Sequence, residues 1–291
     1  VRFGWIDFID DPEVSKALLE TVEQWGKSKG MTEIHGPLGF TDLDALGLLV
    51  EGFDQLSTMA TIYNYPYYSN HLEALGYDKD VDWVEFKITI PEGIPEKHQR
   101  ITNIVQEKYK LRIKKYSSGK KIAADYGDAI FQLMNEAYSS LYGYAPLKQG
   151  QIDQYVKMYL PLLDLRMVTL VVDENDELVA FGVSMPSLSE ALQKAKGKLF
   201  PFGWIPLLKA LFMKRRAKIL DLLIVAVKPE YQNKGVNALL FSDLIPIYHK
   251  LGFKYAETNP ELELNNKVQA QWGYFETVQH KRRRAYIKQI D

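Results

Sequence analysis

Six consecutive residues, Gln232, Asn233, Lys234, Gly235, Val236 and Asn237, separate an apolar run at 219–227 from a stretch in which Leu240, Leu244, Tyr248 and Leu251 share one helical face. A loop that leads from a buried strand into a helix N-terminus presents backbone N–H groups with no partner inside the helix, at the positive end of its dipole. The ligand suited to such a place is a diphosphate. Gly235 permits close approach of the backbone to such a group. Asp221 is the only charge within 219–227, so this run reads as a central strand buried on both faces, ended by Lys228 and Pro229.

The elements that must hold this loop follow from spacing and punctuation. A strand at 254–259 should follow the helix, which stops at Gly252. Upstream lie a strand at 111–115, helical stretches at 126–142 and 151–163, and a hairpin of 167–172 with 178–185 turned at 173–177. The order strand, helix, strand also occurs near the start: a strand at 2–9, a helix opened by Asp10, Asp11 and Pro12 and closed at Gly30, and a strand at 31–35. Aligning Ala17-Leu18-Leu19 with Ala238-Leu239-Leu240 brings the two sets together and suggests an internal duplication. The turn from Pro12 to Ala17 is shorter than that from Pro229 to Ala238, and the surplus holds the loop described above. Residues 91–106 read as a linker merging into a helix, with a boundary near Ile94.

At 291 residues and 46% hydrophobic composition, two packed cores are expected. A net charge of -1 gives no global attraction to nucleic acid, and the longest apolar stretch, 199–213, is too short to span a bilayer. Absence of cysteine removes thiolate chemistry and disulfides, and agrees with a cytoplasmic location. The five histidines form no paired ligand motif, so no metal site is expected. The chain opens at Val1 without a methionine and enters strand-like sequence directly, so the first copy is expected to lack its N-terminal part.

Val227, Pro229, Gln232 and Gly235 resemble, in order and spacing, the acyl-coenzyme A signature of the GNAT superfamily: a strand, a V-x-P turn, then Q/R-x-x-G-x-G/A opening a helix. Asn237 departs from the usual final Gly or Ala. The resemblance implies an α/β (α+β) fold of two GNAT-like domains, each a mixed, mostly antiparallel sheet flanked by helices. The first, at 1–94, would be degenerate and bind no coenzyme; the second, at 95–291, would be the acyltransferase domain. It further implies acetyl-CoA or another acyl-CoA as co-substrate, held by Val225, Val227, the six loop residues and Asn265, where a short helix begins. In the family a tyrosine seven residues beyond that asparagine often protonates the departing thiolate. Trp272 stands there, and Tyr274 is the displaced candidate, with a core aromatic as the plainer alternative for both.

Transfer from a thioester to an amine needs a base for the amine and N–H donors for the oxyanion. The backbone at 225–227 is expected to supply the donors. Glu257, alternating with Asn259 on the strand at 254–259, is the expected base, with an exposed strand-edge carboxylate as the equal alternative. Glu261 and Glu263 would attract a cationic acceptor or simply be solvated, and Asp221 is the third choice, expected at the far end of its strand. The apolar insertion at 199–208, with Lys214, Arg215, Arg216 and Lys218 after it, would line an acyl-chain or acceptor pocket, or touch a membrane surface through its basic end. Its plainer reading is a helix packed between the copies. Lys281 to Arg284 would contact adenosine phosphates or nucleic acid, or form a solvated face.

The expectation is an acyl-CoA-dependent N-acyltransferase, most simply an acetyltransferase acting on a small amine or amino-acid-like acceptor, with no nucleic-acid partner. Two rivals remain: an inactive binding or scaffold module, and aminoacyl transfer of the Fem type, an activity found in tandem arrangements like those of bacterial GNAT-like proteins. The oligomeric state is not legible.

Overall fold

A computed structural model describes all residues except 42, 213–216 and 291. In chain order the elements are α1 (Pro12–Ser28), β1 (Glu33–Gly36), β2 (Leu48–Glu51), α2 (Tyr67–Ala74), β3 (Asp78–Thr89), α3 (Glu96–Tyr109), β4 (Arg112–Lys114) and α4 (Gly119–Tyr138). They continue with α5 (Gln149–Tyr159), β5 (Val168–Val172), β6 (Leu178–Pro186), α6 (Ser189–Ala195), α7 (Trp204–Phe212), β7 (Ile219–Val227), α8 (Asn237–Leu251), β8 (Tyr255–Thr258), β9 (Glu261–Leu262), α9 (Asn266–Gln269) and β10 (Thr277–Gln289). The fold is mixed α/β, its mostly antiparallel strands flanked by helices. The chain forms two compact units: Val1–Lys87 with Pro260–Trp272 and Val278–Asp291, and Ile88–Asn259 with Gly273–Thr277.

The first unit centres on β10. β1 and β2 both pair antiparallel with it, and β9 pairs antiparallel with β3. A single cut near Ile94 therefore does not describe this chain. The closing strand, expected to finish the second copy, is held by β1 from Glu33↔Gln289 to Gly36↔Tyr286. The strand expected at 2–9 shrinks to a parallel bridge between Arg2 and His35. Its Phe3 and Phe8 nevertheless join the core of this unit, with Leu19, Ile34, Leu72 and Tyr286. α1 begins where Asp11 accepts a hydrogen bond from the Glu13 amide at 2.9 Å, with Pro12 in the first turn.

The basic run in β10 is neither solvated nor available to a phosphate. Lys281 and Arg283 have fully buried side chains, and both are paired with buried Glu85, at 2.8 and 2.7 Å. Arg283 Nη1 also donates to the Ile62 carbonyl and Lys281 Nζ to that of Leu56, so the pair pins the connection between β2 and α2. Arg284 and Arg282 bind Asp82. Burial pushes the Asp82 carboxyl up, but hydrogen bonds from Arg284 and Lys79 outweigh it and hold the group below the usual carboxylate range.

The second unit carries the sheet order β8-β7-β6-β5-β4. The expected hairpin is present as β5 and β6, antiparallel throughout, and β7 follows antiparallel to β6 and parallel to β8. α8 buries Leu239, Leu240 and Val236 against Val171, Val179, Ala180 and Val227. α3 lies along α8, where Thr102 Oγ1 donates to the Ala238 carbonyl at 3.0 Å. The insertion between β6 and β7 forms α6 and α7, which pack on each other while Phe200 and Phe202 remain 82% and 70% exposed. A helix buried between copies does not account for those two rings. The residues Lys214, Arg215 and Arg216, expected to form its basic end, lie outside the described residues.

Removing the charge of Glu85 would leave two buried cations without a counter-charge. Glu85→Gln is expected to cost about 3–5 kcal/mol, the usual scale for breaking a buried ion pair. Urea unfolding of the variant and parent chains measures the difference.

Candidate active site

The site begins with a change in how β7 is paired. Residues 219–222 lie parallel to residues 255–258 of β8, so Asp221 stands beside Glu257. Beyond Leu222 the β8 ladder ends. On the other side the β6 register skips Leu223, pairing Leu222 with Ser184 and Ile224 with Val183, which marks a bulge. β7 is thus not buried on both faces to its end: Val225 is 41% exposed. Asn259, just past β8, bridges the opening by donating from Nδ2 to the Leu223 carbonyl at 2.7 Å. Its Oδ1 is buried and accepts no hydrogen bond from the described residues. Asn259 holds the parted strands and keeps one acceptor in reserve.

Both carboxylates are buried. Glu257 is 7% and Asp221 1% exposed, so neither is a solvated edge group; Asp221, the third residue of β7, lies at the end far from the loop, as expected, and stands beside Glu257. Tyr138, the last residue of α4, donates its hydroxyl to the Val225 carbonyl at 2.9 Å. This phenol on the open edge of β7 was not found from the sequence. The only signal would have been an aromatic at the end of an amphipathic helix, which is common in any core.

The loop is built from β7 outward. Gln232 Nε2 donates to the carbonyl of Val227 at 3.2 Å, tying the loop to the strand end. Pro229 to Tyr231 make one 3₁₀ turn, and Asn233 takes a left-handed φ of 60°. Gly235 follows at φ 81°, and a Cβ there would lie 2.7 Å from Ile101 Cγ2. The glycine is therefore demanded by its backbone and by α3, not only by approach to a ligand. α8 then opens with no side-chain cap. Among the described residues, the amides of Asn233, Gly235 and Val236 donate to no protein acceptor. Lys234 is exposed, with Nζ 5.3 Å from the Tyr109 ring centroid and 5.5 Å from that of Tyr231. The loop therefore combines three unused N–H donors, a helix dipole and a cation.

Other expected site residues lie elsewhere. The Tyr274 hydroxyl accepts from Lys97 at 3.2 Å and the ring stands edge-on to His98, both on α3. Asn265 belongs to the first unit, as N-cap of α9 without a side-chain cap bond. A 250 Å³ cavity in the first unit is lined by Trp5, Asp7, Asn64 and Tyr68 among others. Its polar members are already engaged: Tyr68 donates to Asp7, and Asn64 binds the Leu49 backbone through both its amide atoms. Glu263 is engaged too, by Lys79 and Arg282.

Glu261, also in the first unit, is not a solvated carboxylate. Burial pushes it up to about 7, against the opposing hydrogen bond from Trp272 Nε1, at 3.0 Å to one carboxylate oxygen. The folded carboxyl holds its proton above the unfolded value of 4.5, so its contribution to stability is present below that pH and lost as pH rises through about 7. Glu261→Gln is expected to flatten the fall in stability across this window, and thermal melts of both proteins from pH 4 to 8 would show parallel curves if it does not.

No family model matches the chain. Protein YghO of Escherichia coli (strain K12) is 27% identical over 300 residues, which cover 99% of this chain and 74% of that protein. Bacterial ceramide synthase of Caulobacter vibrioides (strain NA1000 / CB15N) is 28% identical over 245 residues; these cover 82% of this chain but 61% of the synthase. Among solved structures, a GCN5-related N-acetyltransferase from Sphaerobacter thermophilus superposes with a TM-score of 0.51 and 12% identity over 95% of this chain and 68% of that one. The GCN5-related glucosamine N-acetyltransferase region of a fungal multi-domain GH3 β-N-acetylglucosaminidase gives 0.53 and 10% over 94% of this chain and 27% of that one. Together with β7 parted from β8 and the loop into α8, these likenesses establish that the chain has the fold of the GNAT superfamily.

Proposed function

We propose that this chain is an acyl-CoA-dependent N-acyltransferase whose donor diphosphate sits on the loop before α8. The observation that carries the reading is the set of unused amides at Asn233, Gly235 and Val236, at the uncapped start of α8. The acyl-pantetheine arm would run along the open edge of β7, past Val227 and Val225, where the buried Asn259 Oδ1 offers an acceptor for an amide N–H.

In the reaction, the amine nitrogen attacks the thioester carbonyl, the C–S bond breaks, and the amine proton and thiolate must both be managed. Glu257, beside Asp221, is the base for the amine. Tyr138 is the phenol placed to protonate the thiolate, the part that Trp272 and Tyr274 do not fill. The acyl oxygen, negative in the tetrahedral intermediate, would be met by backbone donors of residues 225–227. The acceptor is an amine. The relative named ceramide synthase is named for a product that is the amide of a long-chain amine, which favours an amphipathic acceptor over a small polar one.

Titration calorimetry with acetyl-CoA and with a long-chain acyl-CoA tests the donor site. Lys234→Glu, which puts a like charge beside the diphosphate, is expected to weaken binding at least about tenfold. Absence of binding by the parent chain, or equal binding by the variant, sinks the proposal. In a thiol-release assay with an amine acceptor, Glu257→Gln is expected to lower kcat by about a hundredfold or more, with donor affinity kept.

A further inference from the structure

The segment joining β6 to β7 has a composition unlike the rest of the chain. From residue 191 to 218 there are eight basic side chains and no acidic one, in a protein whose net charge is -1. Lys194, Lys196, Lys198, Lys209 and Lys218 are all exposed. Of these only Lys194 has an ion-pair partner among the described residues, Glu190 at 3.6 Å. Within the same stretch Leu199, Phe200, Phe202, Trp204 and Leu208 are 53%, 82%, 70%, 44% and 45% exposed. Single apolar residues at a surface need no explanation, but five within ten positions form a patch.

The patch is displayed by a built turn. Trp204 donates its amide to the Leu199 carbonyl at 3.1 Å and its indole N–H to that of Pro201 at 3.0 Å, while the Ile205 amide reaches Phe202. A Cβ on Gly203 would lie 1.6 Å from the Lys198 carbonyl, so the turn closes only with glycine there. The backbone is folded in and the two phenylalanine rings are left out.

We propose that the turn between α6 and α7 docks on the surface of an anionic lipid bilayer. Leu199, Phe200, Phe202 and Trp204 enter the headgroup boundary, and the surrounding lysines lie against lipid phosphates. Charge decides among the possible occupants. A second copy of this chain would set one lysine-rich, acid-free turn against another, which is repulsive. Nucleic acid would satisfy the lysines and could stack on the rings, but gives Leu199 and Leu208 nothing to bury against. An anionic bilayer meets both needs. The contact is peripheral: among the described residues no helix is long and apolar enough to cross a membrane.

This inference does not rest on acyl transfer, and its test needs no acyl-CoA, so either can fail alone. The 291-residue chain is sedimented with phosphatidylcholine vesicles and with vesicles containing 30% phosphatidylglycerol. Binding is expected to the anionic vesicles only, and to weaken as salt is raised. The double substitution Phe200→Ser with Phe202→Ser is expected to lower that binding at least about tenfold with an unchanged melting curve, because both rings are already in water. Lys196→Glu with Lys198→Glu should do the same. No binding to anionic vesicles overturns the proposal, as does binding that Phe200→Ser with Phe202→Ser leaves intact. Retention of single-stranded nucleic acid without any vesicle binding overturns it in favour of a nucleic-acid partner.

Discussion

β7 can hold neighbours on both edges only while β8 runs beside it, and β8 leaves after Leu222. Everything at the candidate site follows from that parting. The bulge at Leu223 turns the strand, Asn259 secures the gap, Val225 comes to the surface, and Tyr138 reaches its carbonyl. An open strand edge inside a domain is a standing cost, because its polar groups must find water or a partner. A ligand with its own amides along one arm satisfies that edge in the way a further strand would.

The chain offers its own comparison for the proposed anion seat. α1 and α8 each follow a proline turn, and each leads to a strand placed parallel to what precedes it, by the Arg2 to His35 bridge in one unit and by β7 with β8 in the other. At α1 the Asp11 carboxylate accepts from the Glu13 amide, so a negative charge already stands at the helix start. At α8 no side chain does so, although the sequence supplies Asn233 and Asn237 close by. An uncapped helix start in a loop with a lysine and two left-handed residues is what the proposed diphosphate site would require.

Strong periodicity and clear punctuation made the second unit readable: β7 was placed to the residue, and the hairpin of β5 and β6 within one position at each end. The signature at Val227, Pro229, Gln232 and Gly235 was legible because it is local. What sequence could not show was long-range pairing. The residues Lys281 to Arg284 alternate like a solvated face, yet Glu85, nearly two hundred residues away, takes Lys281 and Arg283 into the core. The same blindness gave Glu261 to solvent, since nothing near it in sequence announces that burial and the indole of Trp272 will hold its proton. The strand at 2–9 failed for the opposite reason. Its β-forming residues are real core residues, but Phe3 and Phe8 pack without a continuous ladder.

Gly235 links the loop to the rest of the second unit and decides how binding can work. Its left-handed φ, and the space beside Ile101 that would not admit a Cβ, set the course of the loop between β7 and α3, and on the proposed reading the three unused amides are positioned before a ligand arrives. A seat formed in advance spares the ordering cost that a flexible loop would add on association. Asn237 stands two residues beyond Gly235, where the signature has a small residue. On the proposed reading, the steric demand of the loop falls on Gly235, two residues before the departure from the signature at Asn237.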